Sequence, residues 1–212
     1  MINVTENKIG DLKYLLCTPA DFSSDREYPI IIHFHGAGSR GDDVSVLRQQ
    51  AIVSYASAAE DFPFVMFLPQ CSHNSWFDIF EQLRDFVKNV ITYQYVDKSR
   101  VYLSGVSMGG YASWQMLMSE PDVFKKAIIC CGGGMYWNAA RIKASVWAFH
   151  GTDDTTVFAQ ESRNMVEAVK SRGGSTKLTE YEGVKHNCWE PTYSNPEIYS
   201  WLLEDSVKTT FD

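Results

Sequence analysis

Seven short apolar runs punctuate the chain, at residues 12–18, 28–36, 64–70, 100–106, 125–134, 145–151 and 176–183, and each closes on turn chemistry. Runs of this length, bounded by Gly, Pro, Asn or Ser, predict strands. Helical spacing occupies the intervals, roughly 44–60, 79–94, 107–119, 158–172 and 196–206. Asn195 and Pro196 suit the start of the last helix, and Gly173 and Gly174 suit the stop of the one before it. "PIIIHF" and "AIICC" are apolar on both sides, as strands buried under two layers of helix require. Strands alternating with helices predict an α/β chain with a mostly parallel twisted sheet and helices on both faces. No repeat, linker or low-complexity stretch divides it, so residues 1–212 are expected to form one domain. In open sheets of this kind, sites form at the carboxyl ends of the strands.

Composition narrows the functions rather than the fold. Nineteen Lys and Arg against 26 Asp and Glu leave a net charge of −7. That balance argues against nucleic acid or an anionic membrane as partner, since a phosphate-binding face needs clustered cations. No apolar run is long enough to cross a membrane, and the first residues lack a basic segment followed by an apolar one. Cys17, Cys71, Cys130, Cys131 and Cys188 are odd in number and lack zinc spacing, which predicts free thiols and a cytoplasmic location. Cys71 and Cys188 both follow strand ends, and proximity between them is a further expectation.

"LSGVSMGGYASW" puts Ser107 in a G-x-S-x-G pattern between an apolar run and a helical one. A sharp turn there lifts the hydroxyl clear of the backbone, and Gly105 and Gly109 relieve the crowding. The bare pattern arises by chance in about 7% of chains this long; the strand before it and the helix after it cut that several-fold. Gly105-Val106-Ser107-Met108-Gly109-Gly110 resembles the nucleophile elbow of the α/β-hydrolase superfamily. The surrounding segment is similar to its small esterases, the carboxylesterase, feruloyl-esterase and polyhydroxybutyrate-depolymerase-like branch, and to the hydrolase domain of prolyl oligopeptidases. The similarity runs from about residue 10 to 204.

That resemblance implies an α/β-hydrolase fold and an assignment for each part of a serine-hydrolase site. "HFHGAG" aligns with the family's H-G-x-G turn, which makes the Ala37 N–H one oxyanion donor and the Met108 N–H the other. A serine hydroxyl needs a neighbouring base. His33, His35 and His150 lie within strands or at their ends, where packing is the expected role; His73 precedes the serine. His186, in the loop "GVKHNCW", fits the family order of serine, acid, histidine. The family's H-G-x-x-D pattern aligns with His150, Gly151 and Asp154, making Asp154 the acid and leaving Asp153 as a turn residue bonded to local backbone N–H groups.

His33 and His35 share a strand face without a third ligand nearby, so neither a metal nor any other cofactor is expected. Only ten residues, 135–144, separate "CCGGG" from "SVWAF", too few for a cap domain. Trp76, Trp137 and Trp189 fall in loops on the site side. Trp76 and Trp189 are the expected substrate-binding residues. The expected activity is hydrolysis of a small-molecule carboxylic ester through an acyl-enzyme. A prolyl oligopeptidase-type peptidase, a thioesterase or lysophospholipase, and more remotely a non-catalytic binding module, are the alternatives. Oligomeric state is open at this level.

Overall fold

A computed structural model describes residues 2–204. Eight strands form one sheet in the order β1-β2-β4-β3-β5-β6-β7-β8, where β1 is Ile2–Ile9, β2 Leu12–Pro19, β3 Tyr28–Phe34, β4 Val65–Pro69, β5 Val96–Val106, β6 Lys126–Cys130, β7 Ser145–Gly151 and β8 Thr176–Tyr181. β2 runs antiparallel to β1 and to β4, and every other neighbouring pair is parallel. β1 is absent from the sequence-based expectation. Its "INVTENKI" carries only three apolar residues, and it survives as an outer strand by pairing along its whole length with β2 through a turn at Gly10, whose φ is +58°.

Side chains alternate across the sheet into two apolar layers. Ile30, Ile32, Phe34, Phe67 and Leu103 join helices α2 (Phe80–Val90), α3 (Met108–Ser119) and α4 (Gln160–Ser171) on one face. Ile31, Met66, Tyr102 and Ile128 join α1 (Ala51–Ala58), α5 (Trp189–Tyr193) and α6 (Pro196–Leu203) on the other. This two-sided burial is what the unbroken apolar runs of β3 and β6 encode.

Several boundaries differ from the sequence pattern for local reasons. The helix expected over 44–60 breaks at Gln50 into a 3-10 turn, Val44–Gln49, and α1, because Gln50 is extended with ψ 137° and uses its side-chain amide elsewhere. β6 ends at Cys130 because Cys131 turns to φ 41°. The 196–206 helix ends at Leu203, and its last two expected residues lie outside the described chain. Between β6 and β7 there is only a 3-10 helix, Tyr136–Arg141, and no cap. Among the described residues, no helix is long and apolar enough to cross a membrane, and all five cysteines are free and buried.

Two glycines decide whether α3 reaches the sheet. A Cβ on Gly109 would stand 2.0 Å from the Phe34 carbonyl oxygen, and one on Gly105 would stand 2.2 Å from Ser113 Oγ. Both contacts involve elements that cannot move independently. Gly109→Ala is therefore expected to destabilise the protein by about 3 kcal/mol or more, the upper range for overpacking a rigid site, read as a fall in the denaturant midpoint at unchanged slope.

Candidate active site

Ser107 sits at the join of β5 and α3 with φ 53° and ψ −115°, in a region that non-glycine residues rarely occupy. The turn is held because the Ser107 N–H donates to the Cys130 carbonyl at 2.9 Å and the Tyr111 N–H returns to the Ser107 carbonyl at 3.0 Å. Strain of this kind costs on the order of 1–3 kcal/mol and persists where the surroundings over-determine it. Its effect is to hold the side chain of Ser107 above the end of the sheet, half-exposed.

The other two members of the set come from neighbouring loops. Gly151, ending β7, lets the segment after it pass against the loop after β8: a Cβ there would lie 2.1 Å from the Val184 carbonyl oxygen. The Thr152 and Asp153 N–H groups bond the Tyr181 and Val184 carbonyls, each at 3.0 Å, and so lock the two loops together. In consequence His186 Nδ1 lies 2.6 Å from Asp154 Oδ2, and His186 Nε2 lies 2.9 Å from Ser107 Oγ. The carboxylate accepts, so Nδ1 carries the proton and Nε2 is free to take one from the serine.

Asp154 is buried, and its second oxygen, Oδ1, accepts the Thr156 and Val157 N–H groups at 2.9 Å each. Burial pushes this carboxyl upward, but the His186 bond and the two amides outweigh it and hold it below the usual carboxylate range. His150 Nε2 is 3.3 Å from Asp154 Oδ2 and 2.8 Å from the Val157 carbonyl, so the histidine and the aspartate of the H-G-x-x-D spacing meet in the fold. Asp153 is exposed; its carboxylate accepts the Thr152 hydroxyl rather than the backbone N–H groups expected of it.

The turn expected to supply an oxyanion donor follows β3. A Cβ on Gly36 would stand 3.6 Å from Ser107 Cβ, so the turn Ala37–Ser39 opens beside the hydroxyl. Met108 is the first residue of α3, whose first-turn N–H groups have no helical acceptor. Arg40 pins the turn by donating to the Ala37 and Asn74 carbonyls at 2.9 and 2.7 Å.

Trp76 and Trp189 part company. Trp76 is fully buried, packs on Phe34 and His35, and donates its Nε1–H to the His35 carbonyl at 3.0 Å. It is a support for the end of β3 and does not line the cleft, which corrects the expectation from its loop position; an aromatic after a strand end reads identically whether it faces in or out. Trp189 does line the cleft, edge-on to His186 with centroids 5.4 Å apart. The cleft encloses about 600 Å³ between the turn at residues 36–39, Gln49, Gln50, Thr156 and these two rings. Trp137 is exposed and lies against Tyr136 beside α4.

His33 and His35 are buried beneath the cleft and, like the exposed His73, do not line it. Cys188 packs in the layer with Cys130 and Cys131, opposite the layer holding Cys71, so the proximity expected of Cys71 and Cys188 is not found. Cys131, Asp154 and His186 bring potential ligand atoms within 4.8 Å of one another. The Asp154 and His186 atoms of this group are already bonded to each other, Oδ2 to Nδ1 at 2.6 Å, and burial pushes the Cys131 thiol up.

The sheet order, with a strand-turn-helix serine at its centre and the acid and histidine loops after the last two strands, is the α/β-hydrolase fold. Within it, the chain belongs to the dienelactone hydrolase family, whose sequence pattern matches residues 47–198. It is 24% identical over 204 residues to feruloyl esterase B of Piromyces equi, covering 87% of this chain and 37% of that one. The crystal structure of a thermostable esterase is 31% identical and superposes with a TM-score of 0.80, over 95% of this chain and 62% of that one. A putative dienelactone hydrolase from Klebsiella pneumoniae subsp. pneumoniae, 13% identical, shares the fold with a TM-score of 0.76 over 97% and 100% of the two chains. The chain thus spans well under half of the feruloyl esterase and about three-fifths of the esterase.

Proposed function

We propose that the protein hydrolyses carboxylic esters through a serine acyl-enzyme. The observation that carries this reading is the unbroken hydrogen-bonded line from Ser107 through His186 to Asp154 at the edge of an open cleft. Ser107 Oγ attacks the acyl carbon as His186 Nε2 takes its proton. The carbonyl oxygen gains the negative charge and is held by the Ala37 and Met108 N–H groups. The C–O bond to the alcohol then breaks, and His186 returns its proton to the departing oxygen. Water, deprotonated by the same imidazole, attacks the acyl-serine and releases the acid. Asp154 keeps Nδ1 protonated and stabilises the imidazolium in both halves.

The names of the feruloyl esterase and the thermostable esterase support ester rather than peptide bonds as the target. Five buried free thiols support a reducing compartment such as the cytoplasm. A fluorophosphonate probe tests the reading: it is expected to label Ser107 alone, and an unlabelled native protein removes the proposal. Asp154→Asn, which disturbs the tautomer while keeping the shape, is expected to lower kcat about 10⁴-fold. Asp153→Asn, at an exposed position, is expected to stay within a few-fold. The reverse ranking in p-nitrophenyl acetate turnover would move the acid to Asp153.

A further inference from the structure

His150, for which a place at a strand end suggests packing alone, lies in β7 with its side chain fully buried. Its Nε2 lies 2.8 Å from the Val157 carbonyl and its Nδ1 lies 2.7 Å from Ser162 Oγ, which in turn lies 3.1 Å from the Gly132 carbonyl. Nε2 also stands 3.3 Å from Asp154 Oδ2, the oxygen that receives His186 Nδ1 at 2.6 Å. Val157 ties the two residues together from the other side: its N–H donates to Asp154 Oδ1 at 2.9 Å while its carbonyl faces His150.

The hydrogens available along this line fix the charge of the ring. A carbonyl oxygen only accepts, so Nε2 must carry a hydrogen to bond Val157. The Gly132 carbonyl likewise takes the single hydrogen of the Ser162 hydroxyl. Ser162 Oγ can then only accept from the ring, so Nδ1 must carry a hydrogen as well. A neutral imidazole and a hydroxyl bring two hydrogens to these three contacts. One contact would be left with two lone pairs facing each other in a buried site, which costs far more than a bond merely missing at the surface. A buried cation needs a counter-charge, and the equally buried Asp154 carboxylate supplies it. We infer that His150 is a buried imidazolium, the standing counter-ion of Asp154, and through Asp154 a positioning residue for the base His186.

This deepens the acyl-enzyme reading above and gives the pair a direction. Because His150 and His186 share Oδ2, a permanent positive charge on the first opposes a proton arriving on the second. His186 therefore stays free to accept the Ser107 proton at lower pH than it would opposite an uncompensated carboxylate. It also gives that proton back to the leaving oxygen more readily. The other titratable groups around the pair do not supply this charge. Glu180, beside His150 on β8, is paired with Arg163 at 2.7 Å. The Cys188 thiol lies close to both histidines, and Cys131 lies within 4.8 Å of the Asp154 and His186 ligand atoms. Tyr111 on α3 stands near Asp154, with Glu161 on α4 beside it.

The ring nitrogens of the native protein test this. ¹⁵N-labelled His150, identified by resonances that vanish in His150→Gln or shift in Ser162→Ala, is expected to carry a hydrogen on both nitrogens from about pH 8 down to about pH 5. His150→Gln removes the charge but keeps an amide donor for the Val157 carbonyl. It is expected to move the acid limb of kcat/KM for p-nitrophenyl acetate upward by about one pH unit, the scale of one charge at this range. A residue that only packs would lower turnover alike at every pH and leave the limb in place. Ser162→Ala removes the need for a third hydrogen; its limb is expected to move the same way, and it serves where His150→Gln does not fold. A native His150 nitrogen without a hydrogen, or a limb unmoved in the folded variants, overturns the proposal. The nitrogen spectrum requires no turnover. Hydrogens on both nitrogens, in a protein that neither labels with fluorophosphonate nor hydrolyses esters, would keep the charged pair and defeat only the acyl-enzyme reading.

Discussion

Ser107→Ala is expected to lower ester turnover by about 10⁶-fold while leaving the protein folded, the magnitude met when a triad nucleophile is removed. The loss is confined to chemistry because alanine keeps the Cβ. The φ of 53° is equally strained for both residues, and the turn is fixed by backbone bonds to Cys130 and Tyr111 that the substitution leaves alone. What disappears is the single oxygen 2.9 Å from His186 Nε2. Ser107→Gly sharpens the test. It is equally inactive, but glycine occupies positive φ freely, so its denaturant midpoint is expected to rise by the equivalent of about 1 kcal/mol. Ser104 is the other serine nearby, but it is buried between His33 and Tyr193, with its Oγ 3.1 Å from His33 Nδ1 and 2.6 Å from the Tyr193 hydroxyl. Ser104→Ala should keep most of the activity. Turnover surviving Ser107→Ala and lost with Ser104→Ala would relocate the nucleophile.

The elbow was legible in the sequence because local backbone chemistry fixes it, whereas His186 and Asp154 were placed only by the resemblance, through its chain order and its H-G-x-x-D pattern. The elbow needs small residues around Ser107, since a Cβ on Gly105 or Gly109 would collide with Ser113 Oγ or the Phe34 carbonyl oxygen. Such demands leave glycines at fixed offsets, which a single sequence displays. The central strands were legible for a related reason, since β3 and β6 are buried on both faces and must be apolar throughout. β1 needs only a partner to pair with, so its composition says little. Side-chain direction is set by tertiary packing, which explains Trp76: nothing in "HNSWF" distinguishes a ring turned under His35 from one turned toward substrate. Gln50 is similar. Its place in an apolar periodic stretch predicts an uninterrupted helix, yet its amide is drawn to His33 and Ser39, and the helix breaks there.

That same network is expected to make the protein acid-labile, with the largest expected effect on stability. Burial lowers His33 from 6.5 to about 3 and His35 from 6.5 to about 4. The bonds show why each ring must stay neutral. His35 donates Nδ1–H to the Gly36 carbonyl at 2.7 Å, while its Nε2 accepts the Cys71 N–H at 3.0 Å, so a second proton would meet a donor. His33 likewise needs Nδ1 as acceptor for Ser104 if Nε2 is to donate to Gln50. Because the folded values lie below the unfolded ones, the unfolded chain binds more protons between them. The stabilisation is complete above about pH 6.5 and is lost as pH falls to about 4 for His35 and 3 for His33. At 1.36 kcal/mol per unit, that is about 3 kcal/mol from His35 and about 5 from His33, comparable with the entire stability of a typical domain. The carboxyl of Asp154, also depressed, adds to the loss at the acid end of this window. Denaturant midpoints measured from pH 7 down to pH 4 should therefore fall steeply. His35→Gln retains an acceptor for the Cys71 N–H but cannot titrate, and it should cut proton uptake on unfolding at pH 5 by about one. An unchanged uptake would show that His35 titrates alike in both states, and the acid lability would then have to come from elsewhere.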